Sequence, residues 1–147
     1  MRIGLRQARE LFAAARVARL ATVSPDGRPH LVPIVFAIDG DVIYTVVDAK
    51  PKRTTALQRL ANIAANPAVS VLVDEYREDW TQLWWVRADG TARVLADPTD
   101  AISLLATRYP QYRATPPPGP AVAITVVAWS GWAASTPDLG GGLDDQR

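Results

Sequence analysis

The sequence predicts a mainly β domain, a small antiparallel barrel of about six strands with three peripheral helices. Short apolar runs are separated by tight turn signals, among them Asp39-Gly40 and Asp89-Gly90, and short connections of this kind join antiparallel strands. An antiparallel sheet of this size usually closes or half-closes to hide its edges. A chain of 147 residues fits one domain, so we expect a single domain over 1–147 with a loose tail over 135–147.

The first elements are a helix and three strands. Leu11, Phe12 and Ala15 recur at helical spacing and predict a helix over about residues 4–16. Strands are expected over 17–23, 29–38 and 42–47, with turns between them. Pro33 cannot donate a backbone N–H to a ladder, so its strand should lie at an edge or beside the open seam of a barrel.

The remaining elements alternate between helix and strand. A helix is expected over 51–66, and Pro67 ends it; its predicted apolar stripe is Leu57, Leu60, Ala61 and Ala64. We expect a buried strand over 69–73, a hairpin over 82–96 turning at Asp89-Gly90, a helix over 98–109 and a last strand over 122–129. The proline-rich stretch 115–120 predicts a stiff connector.

Composition excludes several classes of function. The chain has no cysteine and one histidine, which leaves no thiolate chemistry and makes a metal site unexpected. The net charge of +1 gives no support for a nucleic-acid binder. No apolar run approaches the ~20 residues that span a bilayer, and arginines interrupt every candidate signal peptide, so we expect a cytoplasmic protein. The sequence contains no recognisable catalytic motif and singles out no catalytic residue.

One basic segment stands apart from the rest of the chain. The only two lysines, Lys50 and Lys52, precede Arg53 at the expected start of the second helix. Cations are unfavourable at a helix N-terminus by roughly 0.3–1 kcal/mol each, so this cluster favours a compensating anion. With the hydroxyl of Thr54 and free helix N–H groups it would make a phosphate or carboxylate site. The alternative is a solvated basic turn that Asp48 partly neutralises.

Aromatic residues concentrate in the expected hairpin. Three of the five tryptophans lie within 80–85. On a strand Trp84 and Trp85 face opposite sides, so one can fill the core while the other faces a pocket or a partner chain. His30 lies on an expected strand, where an ordinary hydrogen-bonded role and contact with a ligand are both open. The run 109–112 with its two tyrosines is open to two interpretations, a lid over a pocket and local aromatic packing.

The order of these motifs resembles the split β-barrel flavin and deazaflavin proteins, the pyridoxamine-phosphate-oxidase-like superfamily. The resemblance covers about residues 5 to 133. It is carried by Ala21-Thr22-Val23 with Asp26-Gly27-Arg28-Pro29, by the helix headed by Lys50-Pro51-Lys52-Arg53-Thr54-Thr55 and continuing through Leu57 and Arg59-Leu60, and by Asn66-Pro67 before a valine-rich strand. Asp79-Trp80, Leu83-Trp84-Trp85-Val86-Arg87, Tyr109-Pro110-Gln111-Tyr112 and Gly131-Trp132 are similar to a subgroup of its actinobacterial F420-dependent branch.

This resemblance implies a homodimeric, six-stranded split barrel that binds coenzyme F420, a hydride-carrying deazaflavin with a phosphate and a polyglutamate tail. The cofactor would lie in a groove at the dimer interface. Residues at the head of the second helix would hold the phosphate and tail, namely Lys50, Lys52, Arg53 and Thr54. Strand residues would line the ring and its linker, namely His30, Pro33, Val46 and Val47, and Trp85 is a further candidate for cofactor contact.

Three functions remain open at this point. The first is an oxidoreductase that transfers hydride between reduced F420 and a small organic substrate, with the protein supplying binding and orientation. The second is an FMN-dependent oxidoreductase of the same fold, although the Arg-x-Val-Leu-Leu-Lys stretch typical of the FMN oxidases is missing. The third is a non-catalytic protein that stores or carries F420.

Overall fold

The computed structural model describes residues 1–47 and 53–135, and the side chains of all of these except 53–57. Within this part of the chain there are four helices, α1 (Leu5–Ala14), α2 (Arg53–Ala65), α3 (Thr99–Arg108) and α4 (Pro110–Ala114). Seven strands accompany them, β1 (Ala18–Val23), β2 (Pro29–Ile34), β3 (Ala37–Asp39), β4 (Val42–Val46), β5 (Ala68–Glu75), β6 (Trp84–Val94) and β7 (Ala121–Ala133). The tail expected over 135–147 lies, beyond Ser135, outside the described residues. None of the described helices is long and apolar enough to cross a membrane.

All seven strands form one antiparallel sheet in the order β2-β1-β5-β6-β7-β4-β3. The mainly β, antiparallel fold with peripheral helices is thereby confirmed. Its two edges are β2 and β3, and β2 contains Pro33, so the prediction of an edge position for this proline is also confirmed. The chain passes directly from one edge strand to the other, which places the open seam of the curled sheet between them.

The strand count is seven rather than six because the stretch predicted as one strand over 29–38 is divided. Val35 and Phe36 interrupt it between β2 and β3. Phe36 is fully buried, and the Val35 carbonyl accepts a hydrogen bond of 2.8 Å from Thr45 Oγ1 on β4. These two residues carry the chain across the seam, so the ladder cannot continue through them.

The hairpin predicted around Asp89-Gly90 is wrong. Both residues lie inside the continuous strand β6, where the register to β7 shifts. Gly90 has no positive φ, unlike a glycine of a tight hairpin turn. A Cβ at this position would lie 2.3 Å from the Thr125 carbonyl oxygen. The glycine therefore serves the close approach of β7 rather than a reversal of the chain.

The main core fills the inside of the curled sheet. Alternate residues of the strands point inward, and α1 covers them with Leu11 and Phe12. The Phe12 ring lies 4.9 Å from the Phe36 ring and 5.1 Å from the Trp129 ring. The predicted first helix is confirmed by this arrangement, with its apolar face turned to the sheet.

A second, smaller core lies under α3, which packs on β3, β4 and β7. The Tyr109 and Tyr112 rings pack edge to face at 6.1 Å between centroids, and the Tyr109 hydroxyl donates to the Phe36 carbonyl at 3.0 Å. Arg108 lies over the Phe36 ring at 4.8 Å. Of the two interpretations of residues 109–112, the structure favours local aromatic packing, which here ties α3 to the seam.

Candidate functional site

The start of α2 is where the sequence predicts an anion site. Lys50 and Lys52 lie outside the described residues. Arg53 and Thr54 are the first two residues of α2, and their side chains are not among those described. The first turn of α2 contains no acidic residue. The helix dipole therefore adds to the positive charge of this segment instead of offsetting it, as the sequence analysis expected.

A buried polar layer lies between α2 and the sheet. Asn62, on α2, is fully buried and donates from Nδ2 to Thr22 Oγ1 on β1 at 3.0 Å. Its Oδ1 accepts from Gln58 Nε2 at 2.7 Å. His30 is paired directly opposite Thr22 in the ladder between β2 and β1, on the inward-facing side of both strands. Its Nδ1 is buried without a hydrogen-bond partner, so one polar atom beside this layer is left unpaired.

The apolar stripe predicted for α2 is only partly right among the described side chains, which do not include Leu57. Leu60 is half-buried against the core, but Ala61 and Ala64 are exposed. Ile63 and Asn62 are buried in their place. An alanine offers little apolar area, so a large isoleucine and a paired amide set which side of the helix faces inward. The sequence analysis did not single out Asn62, because the predicted stripe was drawn from apolar residues alone.

Arg59 is a further polar residue of this region, and it lies in the stretch that carries the family resemblance. Its Nε is buried and has no hydrogen-bond partner, and burial lowers the pKa of its guanidinium. It precedes Asn62 by three positions, so the two side chains are neighbours on the helix surface. A buried donor of this kind would be stabilised by an acceptor from a ligand, which makes Arg59 a candidate to assist the basic segment.

The other predicted ring-lining residues do not share one environment. Val46 and Val47, at the end of β4, are both buried. Val46 packs in the second core, and the Val47 N–H donates to the Pro120 carbonyl at 2.9 Å. These contacts fix the end of β4, the strand that precedes the basic segment in the sequence. Pro33 is exposed on the outward side of β2, opposite Arg19 of β1.

Trp85 lies on the outer face of the sheet, whereas Trp84 packs against the main core. Trp85 lines a surface cavity of about 550 Å³. Residues of β1, β2, β5 and β6 form this cavity, and we call it the outer cavity; its lining includes Arg19, Leu31, Leu72, Trp85 and Arg87. Leu31 is 68% exposed, which is unusual for a leucine on a strand. The outer cavity is lined by apolar side chains and a few charged ones, a composition that is typical of ligand pockets and of protein–protein interfaces.

The charges of this face are balanced and held in place. Asp89 accepts from Ser70 Oγ at 2.6 Å and from Arg87 Nε at 3.1 Å. Arg19 lies 4.0 Å from Asp74. Arg87 also lies over the Trp85 ring, 6.0 Å from its centroid. This face therefore carries Arg19 and Arg87 next to Asp74 and Asp89.

The structure thus places the predicted site residues apart, with Val46 and Val47 buried where β4 ends. His30 belongs to the layer beneath α2, near the helix that Arg53 and Thr54 begin, while Pro33 and Trp85 belong to the outer face. Within residues 1–47 and 53–135, no cluster of three or more histidine, aspartate or glutamate side chains could hold a metal ion.

Comparison with known proteins relates this architecture to a family. The family model described as pyridoxamine 5'-phosphate oxidase matches residues 5–133. No curated protein matches the chain.

Solved structures with the same fold include a FAD-binding protein from Mesorhizobium loti. It is 25% identical, with 89% of this chain and 95% of that chain covered and a TM-score of 0.66. The FAD-binding protein from Mycobacterium smegmatis is 22% identical, with 90% and 96% covered and a TM-score of 0.61. The heme storage protein HutZ from Vibrio cholerae is 15% identical, with 90% and 95% covered and a TM-score of 0.66.

Proposed function

Because this chain belongs to the pyridoxamine 5'-phosphate oxidase family, we propose that it is an oxidoreductase that binds coenzyme F420. It would transfer hydride between the reduced deazaflavin and a small organic substrate. The observation that carries the proposal is the start of α2 at Arg53, directly after both lysines and without an acidic residue in its first turn. A phosphate with a polyglutamate tail supplies the negative charge that this segment lacks.

The residues present fit such a cofactor. Lys50, Lys52, Arg53 and Thr54 would hold the phosphate and the glutamate carboxylates. His30, with its buried and unpartnered Nδ1, would contact the part of the ligand that enters the layer beneath α2. When bound, the deazaflavin supplies the hydride chemistry, and the protein orients the ring and excludes water from it.

We also propose that the protein is a homodimer formed through the outer cavity. Leu31 and Leu72 give this face an apolar centre, and its arginines and aspartates are self-complementary. In this arrangement Trp85 and Pro33 would be covered by the partner, at a groove that both copies line. Light scattering should give twice the chain mass of 15.9 kDa at micromolar concentration. A monomer under these conditions would count decisively against the shared groove.

A matched pair of variants tests this surface directly. Leu31→Glu places a charge at the apolar centre and should give monomers, because an unpaired buried carboxylate is costly. Val94→Glu adds the same charge to a partly exposed β6 position outside the outer cavity and should leave the dimer intact. Equal behaviour of the two variants would contradict the assignment of this face.

FMN, or another flavin, is the second candidate ligand. The specific observation that favours it is the Mesorhizobium loti relative, which is described as FAD-binding. A parallel titration with F420 and FMN at several salt concentrations separates the two. F420 should bind more tightly, and its affinity should fall as salt rises, since exposed charge interactions are screened over about 8–10 Å at physiological ionic strength. Equal affinity for both ligands, or a flat salt response, would remove the case for tail recognition.

Turnover requires a separate measurement. Oxidation of reduced F420 in the presence of candidate acceptors, followed by absorbance, distinguishes an enzyme from a protein that only carries the cofactor. Tight binding without oxidation by any unsaturated or heterocyclic acceptor would favour the carrier.

A further inference from the structure

A second cavity of the outer face lies where β6, β7 and the residues before α1 meet. It measures about 510 Å³, and its lining includes Arg2, Trp85, Arg87, Trp129 and Trp132. We call it the tryptophan cavity. The segment before α1 closes one side of it, because Arg2 forms a β-bridge with Trp132. The tryptophan cavity shares Trp85 and Arg87 with the outer cavity and extends from them toward β7, away from β2.

Two indole rings of this cavity have no aromatic partner. Trp85 and Trp132 are directly opposite each other in the ladder between β6 and β7, so their side chains lie on the same face of the sheet. The Cβ atoms of such a pair are about 4.5–5.5 Å apart, close enough for two rings to pack. Within the described part of the chain, however, neither ring packs on another aromatic ring. Both rings line the cavity, so either is open to stacking with a planar ligand.

The charge of the tryptophan cavity is positive. Arg2 and Arg87 line it, and no acidic residue among those described does so. The Arg2 side chain has no hydrogen bond or ion pair within residues 1–47 and 53–135. Arg87 donates from Nε to Asp89 at 3.1 Å, which leaves its two terminal nitrogens unpaired in the same part of the chain. A guanidinium binds a carboxylate through parallel hydrogen bonds, and the cavity offers two of these groups beside its indole rings.

The tryptophan cavity is separate from the described part of α2. No residue of that helix lines it. The helix packs on the inner face of the sheet, where Asn62 donates to Thr22. Beyond its end, the Pro67 carbonyl accepts from the Ala92 N–H at 2.8 Å, and the seven positions from Ala92 back to Trp85 span about 20 Å of strand. A ligand of this cavity would therefore contact none of the described residues of α2.

We propose that the tryptophan cavity is a further binding site, for a small planar aromatic carboxylate. The aromatic ring stacks on an indole of Trp85 or Trp132, and the carboxylate accepts hydrogen bonds from Arg2 and Arg87. The cavity volume lies in the range of small-molecule sites, about 300–1,000 Å³. A second copy of the same cavity would bring four arginines together, so charge favours an anion over a symmetric protein contact here. This site goes beyond the proposed function and requires neither F420 nor turnover.

The experiment is calorimetric titration of the protein without F420, using three probes. 2-Naphthoate has the ring and the carboxylate, 2-naphthamide replaces the charge, and cyclohexanecarboxylate replaces the aromatic ring. We expect 2-naphthoate to bind at one site per chain, and about tenfold or more tightly than either of the others. Equal affinity for 2-naphthoate and 2-naphthamide, or no binding of 2-naphthoate, would overturn the proposal and leave the proposed F420 function as it stands.

Variants locate the site. Arg2→Gln and Arg87→Gln should each weaken 2-naphthoate binding about tenfold, with little change for 2-naphthamide. Arg87→Gln should remain folded, because Asp89 keeps its hydrogen bond from Ser70 Oγ. Trp132→Leu should weaken 2-naphthoate about fivefold, whereas Trp132→Phe keeps a ring for stacking and should change its Kd less than about twofold.

Arg93→Gln is the matched control, since Arg93 is an exposed arginine of the same strand outside the cavity. Its Kd for 2-naphthoate should equal that of the wild type. An equal loss in Arg93→Gln and Arg2→Gln would reduce the effect to overall charge and overturn the site. Displacement of 2-naphthoate by F420 would show that the two ligands share one place, and would overturn the separate site while the F420 affinity itself supports the proposed function.

Discussion

Replacing Gly90 with alanine tests the close approach of β6 and β7 that the structure places at the centre of the sheet. A Cβ there would lie 2.3 Å from the Thr125 carbonyl oxygen and 3.1 Å from Val126 Cα. Ordinary contact begins at 3.4 Å. The obstructing atoms belong to the backbone of a neighbouring strand, so no side-chain rotation can relieve the overlap. The two strands would have to separate by about 1 Å where their register shifts.

The size of the effect follows from three contributions. Separation weakens about two ladder hydrogen bonds, each contributing roughly 0.5–1.5 kcal/mol. Overpacking in a well-packed sheet adds about 1–3 kcal/mol. Alanine restricts the unfolded chain more than glycine does, which offsets about 0.4–1 kcal/mol. We therefore expect Gly90→Ala to lower the free energy of unfolding by about 3 kcal/mol, equivalent to a Tm lower by roughly 10 °C for a chain of this size.

Gly131→Ala provides the control. A Cβ at Gly131 would meet Ile3 Cγ1 at 2.7 Å and Cδ1 at 2.8 Å, and this side chain can rotate away. Its Tm should fall by about a third of the Gly90→Ala change or less. Thermal unfolding of both variants, followed by circular dichroism, is the assay. A Gly90→Ala variant within 2 °C of wild type, or a Gly131→Ala variant that is the less stable of the two, would refute the packing argument.

Two further predictions concern charge. The double variant Lys52→Ala/Arg53→Ala should weaken F420 binding strongly, because charged hydrogen bonds contribute about 1.5–3 kcal/mol each. The Tm of the protein without ligand should stay equal or rise slightly, because repulsion with the helix dipole is removed. A Tm lower by many degrees together with unchanged F420 affinity would make these residues structural. Asp97 accepts from the Thr99 hydroxyl at 2.6 Å and its N–H at 3.0 Å, and these bonds lower the pKa of its carboxyl. Its stabilisation of the start of α3 is therefore complete above the ordinary aspartate value of about 3.9 and is lost as the pH falls through the lower folded-state pKa. The Tm difference between wild type and Asp97→Ala should shrink as the pH is lowered below about 3.9, and a difference that stays constant over that range would contradict this linkage.

The fold was predictable where local chemistry and tertiary structure agree. Pro33 lacks a ladder donor, and its strand is indeed an edge. Asp39-Gly40 is a true turn, with Gly40 at a φ of 60°. Asp89-Gly90 is the same dipeptide, but its glycine is needed for a different reason. The backbone of Thr125, 35 positions later on β7, approaches Gly90 too closely for a side chain. Sequence alone carries no sign of that long-range approach.

For the proposed site, which stays a prediction, the sequence supplies the local signals but not the long-range contacts. The basic segment is detectable because charge conflicts with the helix dipole inside one short stretch, and the resemblance falls on the same residues. The pairing of Asn62 with Thr22 is a contact across 40 positions. It depends on which side of α2 faces the sheet, and the alanines of that helix gave a misleading stripe. The outer cavity likewise requires four strands to be assembled before Leu31, Leu72 and Trp85 become neighbours.

The open seam links the two parts of the proposed site. Side chains alternate along β2, so His30 faces the layer beneath α2 while Leu31 faces the outer cavity. Pro29 and Pro33 have the same parity on this strand, and a proline preserves the ladder with β1 only where its nitrogen faces away from β1. The seam side of β2 therefore lacks two backbone donors, which weakens any pairing of another strand along this edge. His30 and the outer cavity therefore lie on opposite faces of this edge strand, and the dimer proposed above would cover the face that carries Leu31.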